Sequence, residues 1–176
     1  MFKRILVTLD GSRLSEAVLP HVADLAAGTN AEVTLLMVAD NPAPIGGAVH
    51  VEPGRVVDIT GAGTGTEAIL EIPTVIREGE THPQAEERIK DELDTYLRET
   101  AGALAGGSSR TATAVLFGDA AEQIVEYAER EGIDLIAMAT HGRSGLARLV
   151  SGSVASRVVE HAGRPIMLVR PLSLPR

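Results

Sequence analysis

The chain has 176 residues, 44% of them hydrophobic, enough for one core of ordinary domain size and too apolar for a disordered chain. Sixteen basic against 24 acidic residues give a formal net charge of −8, which disfavours nucleic-acid backbones and anionic lipid yet leaves a small anionic ligand open, because amides at a helix start bind phosphate without lysine. No cysteine is present, so disulfides, thiolate catalysis and zinc–sulfur sites are excluded.

The opening MFKRILVTLDGS meets Asp10 too early for the long apolar region of a signal peptide, and no apolar run approaches a membrane span, so a cytoplasmic protein without a membrane partner is expected. Ile5–Leu9 is the first of five strand-length runs, followed by Val33–Ala39, Ala112–Phe117, Ile133–Ala139 and Ile166–Val169. All are nearly continuous in apolar residues, the pattern of strands covered on both faces. After the first, Ser12 can cap a helix carrying Leu14, Ala17, Val18, Val22, Leu25 and Ala26 at three- and four-residue steps, with Pro20 expected to kink it or loosen a turn. After the second strand, residues 41–79 break the rhythm with Gly46-Gly47, Gly54 and the Gly-Thr tract 60–66. Val56–Ile59 and Ala68–Ile72 can pair as a hairpin or form a flap, and the tract lacks the lysine and following helix of a phosphate loop.

Pro83 suits the first turn of a helix capped by Thr81 or His82 and stopped at Gly102. Its charged stretch Glu86-Glu87-Arg88 and Lys90-Asp91-Glu92 reads as solubilising surface. Asp119 and Glu122 have capping-box spacing for a helix through Ile124, Val125 and Ala128 that stops at Gly132. A last helix is expected over about Ser153–His161, before Gly163 and Pro165. Strand–helix alternation of this kind predicts an α/β protein: an open, mostly parallel five-stranded sheet with helices on both faces, in a single domain over 1–176 with an insertion at about 41–79.

Ligands of such sheets bind beyond the C-terminal strand ends, where the strand order reverses. Asp10, at the first such end, suits ribose hydroxyls or a hydrated Mg2+ beside phosphates, or else the cap of the next helix. Beyond the fourth strand runs ATHGRSGLARLVSGSV. Gly142 and Gly145 make an exposed-backbone loop, and Gly152-Ser153 offers bare amides and a hydroxyl at a helix start, suited to phosphate oxygens or to a routine serine cap. Arg143 and Arg148 in this loop either reach phosphate or stay solvated, and His141 either faces a phosphate or holds the turn. No HExxH or GxSxG motif is present, so no catalytic residue and no metal ligand is assigned.

In combination, ILVTLDGS, VTLLMVAD, GDAAEQIVEYA, IDLIAMATHGRSG and GSVASRVVEHAGRPIMLVR resemble the universal stress protein family over nearly the whole chain. The nucleotide-binding branch of that family carries Gly-x2-Gly-x9-Gly-Ser/Thr, which falls here on Ala139, Gly142, Gly152 and Ser153, with alanine in place of the first glycine. The resemblance implies a flavodoxin- or Rossmann-like sheet of order 3-2-1-4-5 and an adenine-nucleotide site. Asp10 would meet ribose, Thr8 and Leu9 would line the base or ribose, and Val38 would pack on adenine. Gly142, Gly152, Ser153 and Val154 would surround the phosphates, with Arg143 beside them. It further implies a homodimer through the last strand, 166–170. The expected ligand is ATP, with Mg2+ bridging its phosphates, held by a binding or signalling module of the stress response. The alternatives are a slow Mg2+-dependent ATPase, a binder of AMP or cyclic AMP for which Ala139 leaves room, and a dimeric interaction protein that binds no nucleotide.

Overall fold

The computed structural model describes residues 1–44, 74–104, 110–140 and 154–170. Five parallel strands form the main sheet: β1 (Arg4–Leu9), β2 (Glu32–Ala39), β5 (Thr111–Phe117), β6 (Leu135–Ala139) and β7 (Ile166–Val169), in the order β5-β2-β1-β6-β7. Counting only these strands along the chain, that is the expected 3-2-1-4-5.

The unbroken apolar runs have a direct cause. Ile5, Val7 and Leu9 of β1, with Val33, Leu35 and Met37 of β2, pack under α2 (Leu19–Thr29) and α3 (His82–Leu104), through Val22, Ala26, Ile89, Leu93 and Leu97, with Val18 just before α2. The intervening residues Leu6, Leu36, Ile136 and Met138 pack under α4 (Ala120–Arg130) and α5 (Val154–His161), through Ala121, Ile124, Ala128, Ala155 and Val158. Side chains alternate across a strand, so both parities must be apolar when helices cover both faces.

Three boundaries differ from expectation. Pro20 does more than kink its helix. It ends a single turn, α1 (Arg13–Glu16), and stands in the first turn of α2, where its missing N–H removes no intrahelical bond. Gly102 does not stop α3, which continues to Leu104. Glycine within a helix costs about 1 kcal/mol, whereas Ala101 and Leu104 pack against the core, and burying a leucine side chain stabilises by about 1.5–3 kcal/mol. Ile133 is buried but precedes β6. Gly132, at φ 62°, donates to Glu129 O at 3.2 Å, and Ile133 N donates to Ala128 O at 2.9 Å, a Schellman ending that places an apolar residue beyond the glycine. The caps follow expectation: Ser12 Oγ accepts from Ser15 N at 3.1 Å and Asp119 Oδ1 from Glu122 N at 2.9 Å. At α3, Gln84 Oε1 reaches back to Thr81 N at 2.8 Å.

Within 41–79, the described ends form a parallel two-strand ladder, β3 (Ala43–Pro44) with β4 (Val75–Ile76). The hairpin expected at Val56–Ile59 and Ala68–Ile72 lies outside the described residues. Arg88, read as solubilising surface, is instead a tether. Its guanidinium is 16% exposed and donates to Glu80 Oε1 at 2.9 Å and to Val75 O at 2.9 Å, so α3 holds the segment after β4. The hydrogen bonding from Arg88 to the Glu80 carboxylate, with one bond from Arg77 N, lowers the Glu80 pKa from 4.5 to about 2. A carboxyl whose folded pKa is depressed contributes stability above its unfolded pKa and loses it as pH falls towards the folded one. Glu80→Gln is therefore expected to destabilise the chain at neutral pH, with the gap to wild type closing as pH falls from 4.5 towards about 2. Urea denaturation across that range checks it; a gap independent of pH would refute the tether's charge.

Candidate functional site

Among the described residues the strands of the main sheet part at one place. β1 pairs with β2 as far as Leu9↔Met37, and β6 with β7 as far as Ala139↔Val169, after which Thr140 N still donates to Val169 O at 2.9 Å. Between β1 and β6 the pairing stops earlier, at Val7↔Ala137. Thr8-Leu9 and Met138-Ala139 thus form two lips at the C-terminal end of the sheet. The same pair of strands is where the order reverses, since the chain leaves β1 towards β2 on one side and reaches β6 from the other. A crevice is expected there on topological grounds.

Asp10 stands at the β1 lip, exposed, where the backbone turns into Gly11 at φ 77°. It does not cap α1. Its Oδ1 accepts from Ser12 N at 3.0 Å and from Ser12 Oγ at 2.6 Å, while Ser12 serves as the cap. Ser15 Oγ donates to Ser12 O at 2.8 Å and accepts from Asp10 N at 3.3 Å. This small lattice fixes the direction of the carboxylate before any ligand arrives. Thr8 and Leu9, 9% and 5% exposed, lie beneath it.

Val38 is half-buried against the α4–α5 layer, and by alternation Thr8 shares its face, whereas Leu9 and Ala139 pack towards α2 and α3. A ligand touching all four would lie across the end of the sheet. Ala139 needs no glycine backbone: among the described residues Asn30, at φ 55°, is the one non-glycine with positive φ. Val154 opens α5 and is 39% exposed. Gly142, Arg143, Gly152 and Ser153, with Arg148 and His141, lie outside the described residues. A separate hollow of about 530 Å3 lies at the opposite end of the sheet, lined by Lys3, Arg4, Asn30, Glu32 and Arg110. Arg4 there already donates to Glu131 O at 2.6 Å and faces Glu32, and among the described residues that end has none of the helix starts that favour phosphate.

Two supports of this rim escaped the sequence reading. Tyr96 of α3, 8% exposed, donates through its hydroxyl to Glu16 Oε1 at 2.7 Å, and burial followed by that carboxylate pushes its pKa up. The bond braces α1, and with it the Asp10 turn, against α3. Arg157 of α5 bonds Asp119. Its clue was a cation in the first turn of a helix, where the dipole disfavours it. Among the described residues no helix is long and apolar enough to cross a membrane.

A family model described as the universal stress protein family matches residues 1–170. A universal stress protein of Methanothermobacter thermautotrophicus is 31% identical, covering 97% of this chain and 97% of that one. Among solved structures, the protein MJ0577 aligns with a TM-score of 0.67 at 23% identity, over 98% of this chain and 99% of that one. A universal stress protein in complex with cAMP aligns at 0.57 and 16% identity, over 96% and 97%. One from Archaeoglobus fulgidus in complex with dAMP aligns at 0.57 and 18%, over 96% and 98%. At these identities the structures speak for the sheet and its strand order, while the match over residues 1–170 speaks for descent: the chain belongs to the universal stress protein family.

Proposed function

We propose that this chain binds an adenine nucleotide, ATP foremost, in the crevice between the parted ends of β1 and β6, and acts in the cytoplasm as a binding or signalling module of the stress response. The observation that carries this reading is the early end of β1–β6 pairing at Val7↔Ala137, beside a carboxylate already oriented by Ser12. Asp10 accepts from ribose, Thr8, Leu9 and Val38 line the base side, and Gly142, Arg143, Gly152, Ser153 and Val154 surround the phosphates. Mg2+, where it accompanies the nucleotide, would offset the charge of the phosphates, and hydrolysis, where it occurs, would be slow. A single-phosphate ligand is the second reading, favoured by the cAMP and dAMP bound to two structural neighbours. Dimerisation through β7 accompanies binding; that edge strand exposes Leu168 by 37%, and pairing would remove the open edge.

Calorimetric titration with ATP, AMP and cyclic AMP, with and without Mg2+, tests the reading. Heat with ATP supports it, tighter binding of AMP or cyclic AMP shifts it to the second reading, and no heat with any at millimolar ligand removes both. Ala139 provides a further check. Its methyl packs on the α2–α3 side of the sheet, and its backbone does not require glycine. Ala139→Gly is therefore expected to leave ATP affinity within about twofold while costing about 0.5–1 kcal/mol of stability. A tenfold gain in affinity, on the order of 1.4 kcal/mol, would mean that the methyl obstructs the ligand.

A further inference from the structure

Asp119 uses its two carboxylate oxygens on two different helices. Oδ1 accepts from Glu122 N at 2.9 Å and caps α4, while Oδ2 accepts from Arg157 Nη1 at 2.6 Å, in the first turn of α5. The helices follow different strands, and the two residues are 38 positions apart. They are also packed together, with Ala121, Ile124 and Ala128 of α4 in one cluster with Ala155 and Val158 of α5. The alanines at this contact let the two helices approach closely, with Ile124 and Val158 packed beside them.

A cation in the first turn of a helix is opposed by the positive end of the helix dipole. Arg157 occupies that position with Asp119 against it, so the pair both offsets the penalty and pins the two helix starts to each other. The guanidinium of Arg157 and the amide of Glu122 hold the Asp119 carboxyl below the usual aspartate range, so it is charged at neutral pH. α5 begins at Val154, directly after Ser153 in the chain.

We propose that Asp119 and Arg157 are a positioning pair, fixing the start of α5 against α4 and thereby setting affinity for the phosphate end of the nucleotide. The proposal rests on the nucleotide reading above. The pair touches no ligand itself and acts through the placement of α5.

The full chain is titrated with ATP and, separately, with adenosine, as wild type, Asp119→Ser, Arg157→Gln, Arg157→Lys and the double variant Asp119→Ser/Arg157→Gln. Serine keeps a hydroxyl cap for α4 but is too short to hold Arg157. Each of Asp119→Ser and Arg157→Gln is expected to weaken ATP about three- to fivefold, the scale of one half-exposed ion pair. Adenosine affinity should stay unchanged, the double variant should be no worse than either single, and Arg157→Lys should recover most of the loss. Unchanged ATP affinity, a parallel fall for adenosine, or losses that multiply in the double variant would overturn the proposal.

Hydrogen exchange on the ligand-free protein separates the two failures. The amides of Val158 and Val159, which close the first turn of α5, should exchange faster in Asp119→Ser than in wild type. Unchanged exchange removes the positioning role whatever the chain binds, whereas a wild type that gives no heat with ATP removes the nucleotide reading on which the proposal stands.

Discussion

Ile136→Ala is expected to lower the unfolding free energy by about 2–5 kcal/mol, towards the upper end of that range. Ile136 is fully buried, and it sits in β6 opposite Leu6 of β1 and Ile166 of β7, with α4 and α5 above it. Its backbone is held on both sides, and its N–H donates to Pro165 O at 3.0 Å. The walls around the lost side chain therefore cannot collapse into the space, and cavity cost adds to transfer cost where relaxation is blocked. Glu129→Ala, on the exposed side of α4, should change stability by no more than about 0.5 kcal/mol. Urea denaturation at fixed pH measures both, provided the slope with denaturant stays constant between variants. A loss below about 0.5 kcal/mol at Ile136, inside the range of ordinary surface changes, would mean that this layer is not the close-packed core described.

The architecture was legible because its signals are local and its rules few. Five doubly apolar strands with intervening helical periodicity admit a short set of right-handed crossover topologies, and the family resemblance selected the order 3-2-1-4-5. Two of the three displaced boundaries share a cause. Gly102 and Ile133 were read by local preference, and at both positions burial decided otherwise: Leu104 carries α3 past its glycine, and the Schellman turn at Gly132 draws Ile133 out of the strand. The β3–β4 ladder could not be read, since two residues a side carry no periodicity.

At the site, Asp10 and Ser12 were legible because they are neighbours in sequence. Which of them caps α1 was settled by hydrogen bonds that composition cannot distinguish. The braces behind them were illegible for a different reason. Tyr96 reaches Glu16 across 80 positions and Asp119 reaches Arg157 across 38, and a charged residue on an amphipathic helix looks the same whether its partner is solvent or a distant carboxylate. Arg88 shows the same limit, since its run of alternating charges reads as surface while its guanidinium holds Glu80.

Asp10→Ala is expected to weaken ATP and adenosine to the same degree, by about ten- to a hundredfold, because a hydrogen bond to a charged acceptor is worth about 1.5–3 kcal/mol. The ribose is common to both ligands, so a carboxylate that serves it cannot tell them apart. Ser153→Ala should behave in the opposite way, weakening ATP by roughly 1–3 kcal/mol if its hydroxyl donates to a phosphate oxygen, and leaving adenosine unaffected. The removed Asp10 carboxylate also orients the Ser12 amide and hydroxyl, so a loss of fold could imitate a loss of contact. Asp10→Asn meets that objection: it retains an acceptor for Ser12 and removes the charge, and should fall between wild type and alanine in affinity while unfolding at nearly the wild-type urea concentration. The decisive readout is the crossed pattern. If Asp10→Ala spares adenosine, or if Ser153→Ala weakens both ligands alike, then ribose and phosphate do not sit at the ends of the crevice assigned to them, and the nucleotide either enters in another orientation or binds elsewhere.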